Sequence, residues 1–182
     1  MPSLFTFIII TGLILLLLGV GFILDKPSWR KGLTAFPRGE NAAFITMGIG
    51  GLWFLYKMYY IGPQDALFGP KTNLILVAVF GAGWLGSFFA LKEFLAVRGV
   101  CVLTLMAAYF ALEAGRTIYD PAVLYFKAIV YIFIVLAIWL GVSPFRMRDF
   151  FSWTFGAAPR PKTIGSLLAL AGVSLTLISI TL

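Results

Sequence analysis

From Leu4 to Leu24 the chain runs without a charge, and five further apolar stretches of similar length follow before the C-terminus. The apolar positions come in solid blocks, such as Phe5-Thr6-Phe7-Ile8-Ile9-Ile10 and Leu74-Ile75-Leu76-Val77-Ala78-Val79. A membrane barrel would need strands of ~10 residues that alternate apolar and polar, so the pattern predicts helices. About 20 helical residues cross ~30 Å of hydrocarbon. Six segments meet that length, over about 4–24, 41–61, 73–95, 98–119, 122–142 and 164–182.

Turn-forming residues fall between these segments. Pro27, Pro37 and Gly39 occupy the first connection, and Gly62, Pro63, Gly69 and Pro70 the second. Asp120-Pro121 closes the fourth helix, and Pro144, Pro159 and Pro161 lie in the fifth connection. The third connection, Lys92 to Gly99, is short enough to predict a tight hairpin of helices three and four. No stretch reads as a soluble domain, linker or low-complexity tract. The expected fold is all-α: a polytopic membrane helix bundle forming one integral domain over 1–182.

Composition sharpens this. Only 12% of residues are charged and 61% are hydrophobic, against ~25% charged in soluble domains. Too few polar side chains exist to cover a water-facing surface. In lipid each segment satisfies its own backbone, which helices do. The N-terminal stretch has no basic residue before Lys26 and no A-x-A before Asp25. It is therefore expected to stay as the first transmembrane helix rather than act as a cleaved signal.

A net charge of +7 would suggest nucleic acid in a soluble chain. Here the basic residues fall between spans, so anionic lipid head groups are the expected partner and nucleic acid is not. Lys26, Arg30, Lys31 and Arg38 lie in the first connection, Lys92 and Arg98 in the third, and Arg146, Arg148, Arg160 and Lys162 in the fifth. Those ten share one side, and Lys57, Lys71, Arg116 and Lys127 make four on the other. The positive-inside rule then predicts a plasma-membrane protein with connections one, three and five in the cytoplasm and both termini outside. Short loops and this bias suit a bacterial inner membrane.

Candidate chemistry is sparse. There is no histidine and one cysteine, Cys101, which excludes histidine-ligated metals, nucleophile–histidine mechanisms and a disulfide framework. Gly48-Ile49-Gly50-Gly51 and Gly81-Ala82-Gly83 neither follow a strand nor precede a phosphate-binding lysine, so they read as packing glycines. No G-x-S-x-G elbow is present. No cofactor, metal or catalytic residue is expected. Lys92-Glu93 reads as an ordinary pair at a helix end.

Two constellations remain. Ser28-Trp29 with Pro37-Arg38 and Ser152-Trp153 with Pro159-Arg160 share a rough signature. In the second, Phe145, Phe150, Phe151 and Phe155 stand among Arg146, Arg148 and Asp149. Such a segment suits the head-group layer, and Trp29, Arg38, Arg146, Arg148, Trp153 and Arg160 are the expected lipid or partner contacts. The other constellation is Glu113. Between Arg98 and Glu113 lie 14 uncharged residues, or ~22 Å of axis, less than the hydrocarbon core. Arg98 can snorkel, leaving Glu113 as the intramembrane charge. Arg116 and Asp120 are expected on nearly the same helix face, with Lys57 and Lys127 at similar depth. An intramembrane carboxylate marks a proton, cation or substrate site unless it is a structural ion pair.

Small residues also recur every four positions: Ala42, Thr46 and Gly50 in helix two, Ala78, Ala82, Gly86 and Ala90 in helix three, and Ala107, Ala111 and Gly115 in helix four. They predict close packing within the bundle, a homodimer face or a docking face for another subunit. The expected function is non-enzymatic: an accessory or assembly subunit, or a lipid-interacting scaffold, of a membrane complex. The alternative is a small solute or proton-coupled transporter working through Glu113.

Overall fold

A computed structural model describes residues 3–62 and 71–181. Pro63, Gly69 and Pro70 of the second connection, and the terminal Leu182, lie outside them. Among the described residues the fold is all-α, with no strand: α1 (Leu4–Leu24), α2 (Pro27–Ala35), a 3-10 turn (Phe36–Arg38), α3 (Glu40–Tyr59), α4 (Thr72–Ala90), α5 (Leu95–Ala114), α6 (Pro121–Val142), α7 (Phe145–Phe155) and α8 (Pro159–Thr181). Five of these, α1, α4, α5, α6 and α8, are long and apolar enough to cross a membrane. The sixth expected span, α3, has 20 residues but falls short on composition, since Glu40, Asn41, Lys57 and three glycines dilute it.

Helix boundaries follow local chemistry. Ser3 caps α1 by accepting from the Thr6 N–H, as an N-cap hydroxyl does. Asp25 closes α1 in the left-handed region at φ 46°, which short acidic side chains tolerate. Pro27 then opens α2 where no N–H is required. Asp120 caps α6 through the Ala122 N–H at 2.8 Å, with Pro121 at the first helical position. Pro159 and Pro161 likewise stand in the first turn of α8, so α8 starts five residues earlier than the apolar pattern alone predicts.

The most extensive packing joins α1 and α8, which run antiparallel on a seam of glycines. Buried positions repeat at Ile8, Gly12, Leu15, Gly19 and Phe22 in α1 and at Pro161, Gly165, Gly172, Leu175 and Ser179 in α8. Those are heptad spacings. A Cβ on Gly165 would stand 2.7 Å from the Gly19 carbonyl oxygen, and one on Gly172 would stand 2.6 Å from the Leu16 nitrogen. Only glycine admits so close a backbone approach.

Around this pair, α5 forms the centre of the bundle. Its Ala108 and Ala111 share a core with Ile8, Leu15, Phe126, Val130 and Leu175. On its other side α5 runs parallel to α3, where the Thr46 hydroxyl donates to the Ala96 carbonyl at 3.1 Å. Gly99 sits so tightly there that a Cβ would stand 2.4 Å from the Met47 nitrogen. Helix α4 packs outermost, antiparallel on α3, with the Trp84 indole in the notch above Gly51 and its N–H donating to the Met47 carbonyl at 2.9 Å.

Two expectations fail here. Helices α4 and α5 do not form a tight hairpin despite a four-residue turn, because Trp84 and Phe80 commit α4 to α3 and leave a cleft between α4 and α5. The stripe Ala78, Ala82, Gly86 and Ala90 faces outward, exposed along its length. Aromatic residues rather than small ones turn inward on α4, since α3 already supplies the glycine. The other two stripes do pack inside: Gly50 lies against Val102 and Leu103, and Gly115 against Leu4, Val123 and Lys127.

Candidate functional site

The up-and-down course of the helices gathers charge at one end. That end holds α2, the 3-10 turn, α7 and the ten basic residues of connections one, three and five; Lys57, Lys71, Arg116 and Lys127 stand at the other. Helix α7 occupies 145–155, the segment whose aromatic and basic pattern suggested a surface element. At 11 residues it is ~16 Å long and packs at this end of the bundle against α2, α6 and α8. Phe151 and Thr154 point inward and are buried, whereas Phe150 and Trp153, three residues apart, point outward and are 44% and 53% exposed.

Arginines at this end lie on aromatic rings. Arg146 stands 5.0 Å from the Trp139 ring centre, Arg160 4.7 Å from Trp153, Arg30 5.4 Å from Phe155 and Arg38 5.4 Å from Phe94. Arg160 also donates from Nη1 to the Trp153 carbonyl at 2.8 Å. Cation–π attraction holds a guanidinium over a ring without neutralising its charge, which leaves N–H groups for an oxyanion. Arg38, Arg146 and Arg160 form no ion pair among the described residues. Arg148 differs, since it pairs with the adjacent Asp149 at 2.7 Å. Trp29 packs on Gly21 and meets Phe22 edge-on.

Arg30, Trp139 and Phe94 also take part at this end and were not singled out as contacts by sequence reasoning, because each partner sits in a different element. Arg30 is anchored by Asp25 through both guanidinium Nε and Nη2. The hydrogen-bonded guanidinium holds the Asp25 carboxyl below the usual carboxylate range. Between α4 and α5, Phe94 takes φ 59°, a strained value for a bulky residue, and its buried ring carries Arg38. Beside it, Arg38, Glu40, Lys92 and Glu93 rim a recess of about 510 Å³.

At the opposite end the expected cluster is only partly assembled. Helix α5 stops at Ala114, with Gly115 following, so Glu113, Arg116 and Asp120 do not share one helix face. Glu113 is in the last turn, Arg116 is beyond it, and Asp120 serves as the α6 cap. Arg116 Nε stands 3.5 Å from Glu113, with the two side chains 73% and 43% exposed. Lys127 donates to the Ile118 carbonyl at 2.9 Å. Glu113, Arg116 and Lys127 meet Tyr109 and Tyr131 around an open cleft of about 280 Å³. Lys57 turns elsewhere, to the Tyr109 and Phe110 rings at 4.9 and 5.9 Å. Glu113 thus stands at the rim of the bundle, not within it.

No group of histidine, cysteine, aspartate and glutamate among the described residues could hold a metal, and Cys101 is buried alone. Compared with known protein families, with curated proteins and with solved structures, the chain has no significant match in any of the three.

Proposed function

We propose that the protein is a non-enzymatic, multi-pass scaffold of the plasma membrane that gathers anionic lipid at its basic end, as an accessory or assembly subunit of a membrane complex. The observation that carries this reading is the set of aromatic-stacked arginines around α7, with Arg146 and Arg160 lacking an acidic partner among the described residues. Exposed Phe150 and Trp153 supply apolar anchors beside them. An interfacial helix gains from both terms, apolar burial and attraction to anionic lipid.

In this reading the basic end faces the cytoplasm, both termini lie outside, and six helices cross. Helix α3 is counted as a span because it runs beside α5 from the Thr46–Ala96 hydrogen bond to Lys57 over Tyr109. Its 20 residues cover ~30 Å, the thickness that α5 must cross. The transporter alternative rests on Glu113, whose place at the rim beside Arg116 favours a local ion pair over a transport site.

Extraction into polymer-bounded native nanodiscs tests the proposal. Wild type should retain more phosphatidylglycerol than the Arg146→Gln/Arg160→Gln variant. Equal phosphatidylglycerol content with intact folding would remove the lipid-gathering role.

A further inference from the structure

The splaying of α4 from α5 leaves a cleft of about 600 Å³ with α3 as its floor. Its walls are Val79, Phe80 and Trp84 of α4 and Val102, Leu105 and Tyr109 of α5. Among the described lining residues Lys57 is the only charged one. Val79, Phe80, Leu105 and Tyr109 are each more than a third exposed, so the cleft is open sideways.

We propose that this cleft binds one acyl chain of an anionic phospholipid, with the head-group phosphate on the Lys57 ammonium. The site lies at the end opposite the stacked arginines and goes beyond the scaffold reading. Its length fits a single leaflet. Met47 and Lys57, at its two ends on α3, are ten residues apart, or ~15 Å along the axis, half of a ~30 Å core. An acyl chain running down from the interface would fill the groove and stop near Ser87 and Leu91. A small polar solute would find few groups to bind, because apart from Lys57, Ser87 and Tyr109 the wall is almost wholly apolar.

Charge selects the head group. Lys57 is half-buried over two aromatic rings and has no carboxylate partner among the described residues. The electron-rich ring faces hold the ammonium in place without neutralising it. A net-negative head group at the mouth would supply the missing charge, whereas in phosphatidylcholine the choline cation offsets the phosphate, so the preference for the anionic lipid is about fivefold.

Photolabelling of the full chain in phosphatidylcholine vesicles tests this directly. The probes are phosphatidylglycerol and phosphatidylcholine carrying a mid-chain diazirine, and adducts are mapped by mass spectrometry. Phosphatidylglycerol should label the α3 and α5 walls about fivefold more than phosphatidylcholine. Lys57→Gln should bring the two to equality. Gly83→Leu should cut labelling by both at least fivefold, since Gly83 lines the cleft and nothing stands within 4 Å of where its Cβ would be. Gly86→Leu is the control: that position is equally open but lies off the cleft, so labelling should persist. The Arg146→Gln/Arg160→Gln variant should also leave cleft labelling unchanged, which separates this site from the basic end. Undiminished labelling in Gly83→Leu, or equal labelling by the two probes in wild type, would overturn the proposal.

Discussion

Replacing Gly165 by alanine tests the α1–α8 seam with the smallest possible change. The new Cβ would stand 2.7 Å from the Gly19 carbonyl oxygen and 2.8 Å from the Ile23 nitrogen. Ordinary contact begins near 3.4 Å, so the helices must part by about 0.7 Å, because backbone cannot turn aside as a side chain can. A gap of 0.5–1 Å forfeits roughly a quarter to a half of each contact's dispersion energy, and the loss spreads along the seam. Overpacking of this kind costs ~1–3 kcal/mol, while alanine returns up to ~1 kcal/mol of helix propensity. Gly165→Ala should therefore lose about 1–2 kcal/mol, and Gly165→Leu considerably more. At Gly86, where nothing stands within 4 Å, alanine should instead stabilise by up to ~1 kcal/mol. Denaturation in mixed micelles with increasing dodecyl sulfate, followed by circular dichroism, reads both. Equal effects at Gly165 and Gly86, or an undiminished Gly165→Leu, would refute the close seam.

Other outcomes follow from the charged groups and the ends of the chain. Glu113→Gln should change stability by less than ~1 kcal/mol, as befits an exposed ion pair, and a loss of several kcal/mol would show that the carboxylate is covered. Asp25 has a lowered folded pKa, so its ion pair with Arg30 stabilises above the usual aspartate pKa near 4 and is lost as pH falls through the folded value. Asp25→Asn should thus melt below wild type at about pH 6, with the gap narrowing only once pH falls below the usual aspartate pKa of about 4. Reporters fused after Leu182 should read as extracytoplasmic and those near Gly156 as cytoplasmic; the reverse for the C-terminus would mean that one helix does not cross.

Much of this fold is legible in the apolar pattern because hydrocarbon thickness and turn chemistry leave few options. The first span coincides with 4–24, and the surface helix with 145–155. Errors arose where local signals outweigh hydropathy. Pro159 and Pro161 read as a connection, yet proline suits the first turn of a helix, so α8 begins there. Gly115 follows the end of α5 and separates Glu113 from Arg116 and Asp120. The heptad glycines Gly12, Gly19, Gly165 and Gly172 carry the α1–α8 seam and were visible at seven-residue spacing. A search for four-residue stripes passes over them, and it promotes the α4 stripe that faces outward. Two of the Arg–aromatic pairs, Arg30–Phe155 and Arg38–Phe94, were beyond one-dimensional reading, because they join elements far apart in the chain.

Spin-label accessibility at α7 tests the central claim most directly. Nitroxides placed singly at Phe150 and Trp153, the outward positions, would be compared with one at Ser152 in bilayers containing phosphatidylglycerol. Oxygen favours the acyl region and a nickel chelate favours water, so their ratio reports depth. The account predicts that labels at 150 and 153 sit below the phosphate level and rise towards water in the Arg146→Gln/Arg160→Gln variant. Water-like accessibility at both positions in the otherwise unaltered protein would contradict a lipid-seated basic end.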